Sequence, residues 1–118
     1  MRALVLTADL ACSSKMAAAA ARTGTELTTV FDAAALEKLA SEAPTDFVVL
    51  DLSTPRLEPG GLVARLRQIP SPPRAIVAFG PHVHEALLAA ASSAGCDLVI
   101  SRGQFYSRID QILVEYGQ

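Results

Sequence analysis

Tryptophan is absent from this sequence and cysteine nearly so. Two cysteines, Cys12 and Cys96, are too few for a disulfide framework, and their spacing matches no metal-binding motif. Aromatic residues amount to 5%, which leaves no row of rings on which single-stranded nucleic acid could stack. Positive charge is not in surplus: 10 Lys and Arg against 12 Asp and Glu give a net charge of −2. There is thus no basic field to attract nucleic acid or an anionic membrane. No window approaches the run of about 18 apolar residues that a membrane-spanning helix needs. The run ALVL at 3–6 is too short for the core of a signal peptide. DLAC, ending at Cys12, carries Asp9 where a lipoprotein cleavage site requires an apolar residue. A cytoplasmic protein is expected.

What the chain does have is aliphatic bulk. Apolar residues make up 51% of 118, and mean hydropathy is +0.34, enough for a substantial core and incompatible with disorder. The length fits one domain over residues 1–118.

Short apolar runs alternate with helix-periodic segments. ALVL (3–6) reads as a buried strand, and Asp9 is placed to cap a helix over 10–22, in which the alanines of 16–21 are strong helix formers. Gly24 stops that helix, and β-branched TELTTVF (25–31) forms the second strand. Asp32 caps a second helix over 33–43, with Ala35, Leu36, Leu39 and Ala43 on one stripe. DFVVLD (46–51) is the third strand, its unbroken apolar run suited to the centre of a parallel sheet. LVARLRQI (62–69) forms the third helix, AIVAF (75–79) the fourth strand, and 82–95 the fourth helix, ended by Gly95. DLVIS (97–101) and a final helix over 105–116, with Ile109, Ile112, Leu113 and Tyr116 inward, complete the chain.

Five βα units imply an α/β fold, a parallel sheet with right-handed crossovers and helices on both faces. Chemistry in such folds gathers outside the carboxyl ends of the strands. The residues expected there are Thr7, Ala8, Asp9, Asp51, Phe79, Gly80, His82, Ser101 and Arg102. Asp51 is the one carboxylate that ends a central strand.

In this order and spacing the chain resembles the receiver (CheY-like) domain of bacterial response regulators over its whole length. The resemblance implies the flavodoxin-like three-layer α/β/α sandwich, with a five-stranded parallel sheet in the order 2-1-3-4-5. FVVLDLSTP is similar to the family's apolar strand, phosphoacceptor aspartate and following proline. AAASSAGCDLVISRGQF is similar to its fourth helix, small-residue corner and fifth strand ending in a basic residue. The resemblance implies that Asp51 takes the phosphoacceptor position, served in the family by a divalent cation, an acidic pair, a hydroxyl and a lysine. Phosphoryl transfer of this kind consists mostly of positioning and charge neutralisation.

Carried over by position, the acidic pair falls on Thr7 and Ala8, with Asp9 the next residue. The hydroxyl falls on Phe79 or Gly80, the lysine on Arg102, and the proline after the lysine on Gly103. The switch aromatic of the fifth strand falls on Leu98 or Val99. The expectation is a degenerate, pseudo-receiver pocket. In it Asp51 accepts N–H bonds from the following turn or pairs with Arg102, and Arg102 and His82 are the candidate anion-binding groups. No cofactor is certain. Were Mg²⁺ bound, Asp9 and Asp51 would be its carboxylate ligands. The stretch His82-Val83-His84 reads as the polar first turn of the fourth helix, since i and i+2 side chains on a helix diverge. Cys12 and Cys96 read as buried thiols at opposite sheet edges. A flavodoxin-type or nucleotide-binding module would need a glycine-rich loop after the first strand, and TADLAC has none.

The implied protein is not an enzyme but a stand-alone signalling domain of two-component or phosphorelay type. It would dock on a histidine kinase or a downstream target, as a monomer or homodimer, through the face of the fourth helix, fifth strand and fifth helix. That face carries Arg102, Gln104, Tyr106, Arg108 and Gln111. The alternative is a working receiver phosphorylated on Asp51 with a non-standard metal site.

Overall fold

The structure, a computed structural model, describes residues 1–116. Strands β1 (Arg2–Leu6), β2 (Glu26–Val30), β3 (Phe47–Asp51), β4 (Ala75–Gly80) and β5 (Leu98–Ser101) alternate with helices α1 (Leu10–Thr23), α2 (Ala33–Glu42), α3 (Pro59–Gln68) and α4 (Glu85–Ala94). Two short helices, α5 (Arg102–Ser107) and α6 (Ile109–Tyr116), close the chain. The five strands lie in the order β2-β1-β3-β4-β5 and are all parallel, the direction that βα alternation gives.

Alternation along the strands divides the interior into two cores. Ala3, Val5, Phe47, Val49, Val77 and Phe79 pack with Cys12, Met16, Phe105, Ile109 and Ile112 under α1, α5 and α6. Leu4, Leu6, Val48, Leu50, Ile76 and Ala78 pack with Leu36, Leu62, Leu66 and Ala91 under α2, α3 and α4. Burial on both faces is why β3 and β4 are apolar throughout rather than alternating.

Local signals set most element ends. The Asp9 carboxylate accepts from Ala11 N at the start of α1, and the Asp32 carboxylate accepts from Ala35 N at the start of α2. Gly24 (φ 67°) and Gly95 (φ 98°) end α1 and α4 in the left-handed conformation that side chains disfavour.

Three boundaries depart from the sequence reading. α3 begins at Pro59 rather than 62, because a proline is pre-set for the first helical turn. α4 begins at Glu85, so His82 and Val83 lie in a turn that His84 N closes onto Pro81 O at 2.9 Å, and His84 is only the N-cap. The final helix starts at Arg102 and breaks at Arg108 (φ −130°, ψ 15°). Ser101 and Gln104 form a reciprocal capping box that starts α5 directly after β5. Ser107 Oγ then donates to Gln104 O at 3.1 Å, a local bond that competes with helix propagation.

Both cysteines are free. Cys12 is fully buried, but Cys96 is partly exposed, against the expectation of two buried thiols. No helix among the described residues is long and apolar enough to cross a membrane.

Candidate functional site

Strand parity builds the site. β1 and β3 pair as Val5 with Val49 and Leu6 with Leu50, so the next residues, Thr7 and Asp51, leave the sheet side by side. Both share the side of Val5 and Val49, facing the α1, α5 and α6 layer. β3 and β4 pair Asp51 with Phe79. Phe79 therefore projects toward that same layer, where its ring stacks on Phe105 with centroids 4.4 Å apart.

Asp51 is 1% exposed, and both of its oxygens are occupied. Oδ2 accepts from Thr7 Oγ1 at 2.7 Å. Oδ1 accepts from Ser53 N at 3.0 Å and from Ser53 Oγ at 2.6 Å, the backbone part being an Asx turn. Arg102 Nη2 lies 3.9 Å from Oδ1 and donates to Ser53 Oγ at 2.9 Å. Thr7 Oγ1 in turn accepts from Asp9 N at 3.1 Å. The buried carboxylate thus has two hydroxyl donors, one backbone donor and a guanidinium as counter-charge. It is a closed set.

Other residues singled out from the sequence are placed differently. Asp9 is exposed and its carboxylate caps α1, while Ala8 brings no ligand atom to the site. His82 is exposed in the turn before α4, and no hydrogen bond joins it to Asp51 or Arg102 among the described residues. Ser53 was missed in the sequence. Its signal, a hydroxyl two positions after a strand-end Asp, is the ordinary one for a turn. Thr7 read as a missing ligand and is instead a donor to Asp51.

A cavity of about 190 Å³ is lined by Ala8, Asp9, Asp51, Ser53 and Thr54. A magnesium ion needs several oxygens converging in octahedral array, usually including one or two free carboxylates. Here the Asp51 oxygens accept bonds from Thr7 and Ser53, Ala8 brings no side-chain ligand, and one Asp9 oxygen accepts from Ala11 N at the start of α1. No group of three or more His, Cys, Asp or Glu suited to a metal occurs among the described residues. The donor set does not fit a cation held between carboxylates.

Behind the site, Cys12 packs against the same groups. Burial pushes its thiol up to about 11, a hydrogen bond with Thr7 pulls it back in part, and the Asp51 and Asp9 charges add to the rise. Burial likewise pushes the Tyr106 phenol up to about 12, with Cys12 as a further contributor. Among the described residues the Tyr106 hydroxyl, Arg102 Nε and Thr54 Oγ1 are buried without hydrogen-bond partners.

No protein-family model matches the chain, and no curated protein matches its sequence. Solved structures do share its fold. The receiver domain of a sensor histidine kinase of Pseudomonas aeruginosa, with a magnesium ion coordinated in its active-site cleft, superposes with a TM-score of 0.83 at 16% identity, over 98% of this chain and 96% of that one. A response regulator of Hahella chejuensis gives a TM-score of 0.83 at 20% identity, over 98% and 93%. A response-regulator receiver domain of Bermanella marisrubri gives 0.79 at 20% identity, over 99% and 98%. At these identities the likeness establishes the fold: the chain has the receiver, CheY-like architecture.

Proposed function

We propose that this chain is a receiver-fold signalling domain of two-component type whose phosphoacceptor pocket has been closed by its own side chains. It works by docking on a protein partner rather than by catalysis. One observation carries this reading. Asp51 stands where the fold places a phosphoacceptor, yet Thr7 and Ser53 occupy its oxygens and Arg102 supplies the positive charge.

An attacking carboxylate oxygen must be free to approach phosphorus in line, and the incoming phosphoryl charge must be neutralised. Here each oxygen already accepts a short hydrogen bond, of 2.6 or 2.7 Å, which lowers its nucleophilicity. The charge would meet a single guanidinium already shared with Ser53. With no fitting metal shell, both requirements fail together. On this reading the protein is cytoplasmic and its partner is a histidine kinase or a downstream target. The partner meets the face formed by α4, β5 and α5, which carries Arg102, Gln104, Tyr106 and Arg108.

Incubation with acetyl phosphate and magnesium, followed by intact-mass measurement, tests the proposal. The mass is expected to remain that of the unmodified chain. A phosphoryl adduct that disappears in Asp51→Ala would overturn it and establish a working receiver with a non-standard site.

A further inference from the structure

A second cavity, of about 560 Å³, lies between α1 and the corner where α5 meets α6. Its walls carry Lys15, Arg22 and Arg108 against one carboxylate, Asp110, with Tyr106 and Gln111 between them. A concentration of cations is unexpected in a chain whose net charge is −2. Asp110 is already spent: both its oxygens accept from Arg22, at 2.6 and 2.7 Å. The arginine holds that carboxyl below the usual carboxylate range. Lys15 and Arg108 have no carboxylate within ion-pair distance among the described residues. Lys15 is positioned rather than free, since its Nζ sits 5.2 Å from the Tyr106 ring centroid.

We propose that this groove binds an acidic segment of a protein partner, with Lys15 and Arg108 receiving its carboxylates and Arg22 held at the rim by Asp110. The inference rests on the docking reading above and extends the docking face from α5 across to α1. Charge complementarity supplies the attraction. The groove also continues the proposed face, sharing Tyr106 and Arg108 with it. It is open and lacks an enclosed pocket for a small anion, so a stretch of chain laid along it covers more of its surface than a single ion can.

A fluorescein-labelled hexaglutamate peptide is the probe, followed by fluorescence anisotropy at low ionic strength and by amide shifts. Binding is expected to weaken with salt and to move the amides of Lys15, Arg108 and Gln111. The Lys15→Gln/Arg108→Gln variant is expected to lose about fivefold or more in affinity. Lys15 is exposed and Arg108 half-buried, and an unchanged urea midpoint verifies that the variant keeps its fold. Arg74→Gln, which lies outside the groove and pairs with Asp46, is expected to bind like the parent. Equal weakening by Arg74→Gln would mean diffuse attraction and overturn the proposal. So would citrate displacing the peptide at equal carboxylate concentration, which would mark a small-anion site. The outcome separates from that of the Asp51 reading. A phosphoryl adduct with groove binding intact overturns only the earlier proposal, and an unmodified Asp51 with no groove binding overturns only this one.

Discussion

Asp51→Asn changes one atom of the site and should lower stability. The substitution keeps the volume and leaves an oxygen for Ser53, but it removes the charge. Hydrogen bonds to a charged group contribute about 1.5–3 kcal/mol each, against about 1 for neutral pairs. Three such bonds end on Asp51. Asn weakens the two from Ser53 and forces Thr7 to reverse its role from donor to acceptor. It also leaves Arg102, 3.9 Å away, without its counter-charge. An amide is cheaper to bury than a carboxylate, which offsets part of the loss. The net expectation is a destabilisation of about 2 kcal/mol, or about 8 °C in Tm for a domain of this size. Urea unfolding followed by far-UV circular dichroism measures it, with an unchanged m-value showing that only stability moved. The sign is the informative part. In a pocket crowded with carboxylates, neutralising one relieves repulsion and raises stability. An Asp51→Asn protein as stable as the parent, or more so, would refute the claim that Asp51 sits among donors.

Two further outcomes test the fold. Gly95→Ala should cost about 1 kcal/mol, because its φ of 98° is strained for any side chain although nothing within 4 Å would clash with an added Cβ. Gly60→Ala, in helix α3 with equal open space, should instead stabilise by about 0.5 kcal/mol; equal effects of the two on the urea midpoint would contradict the assigned conformations. The Cys12 thiol is raised from 9.0 to about 11 by burial. Between those values the unfolded chain releases its proton while the folded one keeps it, so stability is full below pH 9 and falls as pH rises through 11. The loss above that window is about 2–3 kcal/mol. Cys12→Ala should fall less steeply over the same range, and a parallel pair of stability–pH curves would remove the thiol from the account.

The sheet was legible in the sequence because its signal is long and redundant. FVVL and AIVAF are unbroken apolar runs, and only strands covered on both faces use them. The helix starts were less so, because they depend on single residues whose effect is positional. Pro59 reads as a turn residue until it is known to stand at the first helical position. The break at Arg108 interrupts a helical stripe that the apolar pattern carries straight through, since Ile109, Ile112 and Leu113 are buried whether or not the helix is continuous. Within the site, Asp51 and Arg102 were legible from strand ends alone. Ser53 was not, because the bond that makes it important spans two residues and competes with every ordinary turn.

The hydrogen bonds around Asp51 follow from the residues at the neighbouring positions. An ionised carboxylate at 1% exposure is costly unless it is matched by charge or by donors. A receiver that holds a cation meets that cost with the ion. Neither Thr7 nor Ala8 brings a carboxylate, and burial of Asp51 is balanced within the chain by Thr7, Ser53 and Arg102. The register fixes who can do it. Thr7 stands beside Asp51 because Leu6 stands beside Leu50, and Ser53 reaches back because its turn brings its N–H to the carboxylate. Arg102 arrives because α5 begins at once after β5. A hydroxyl at position 7 in place of a carboxylate is then a donor substituted for an acceptor. The hydroxyl that brings no negative charge for a cation is one of the donors that offset the burial of Asp51.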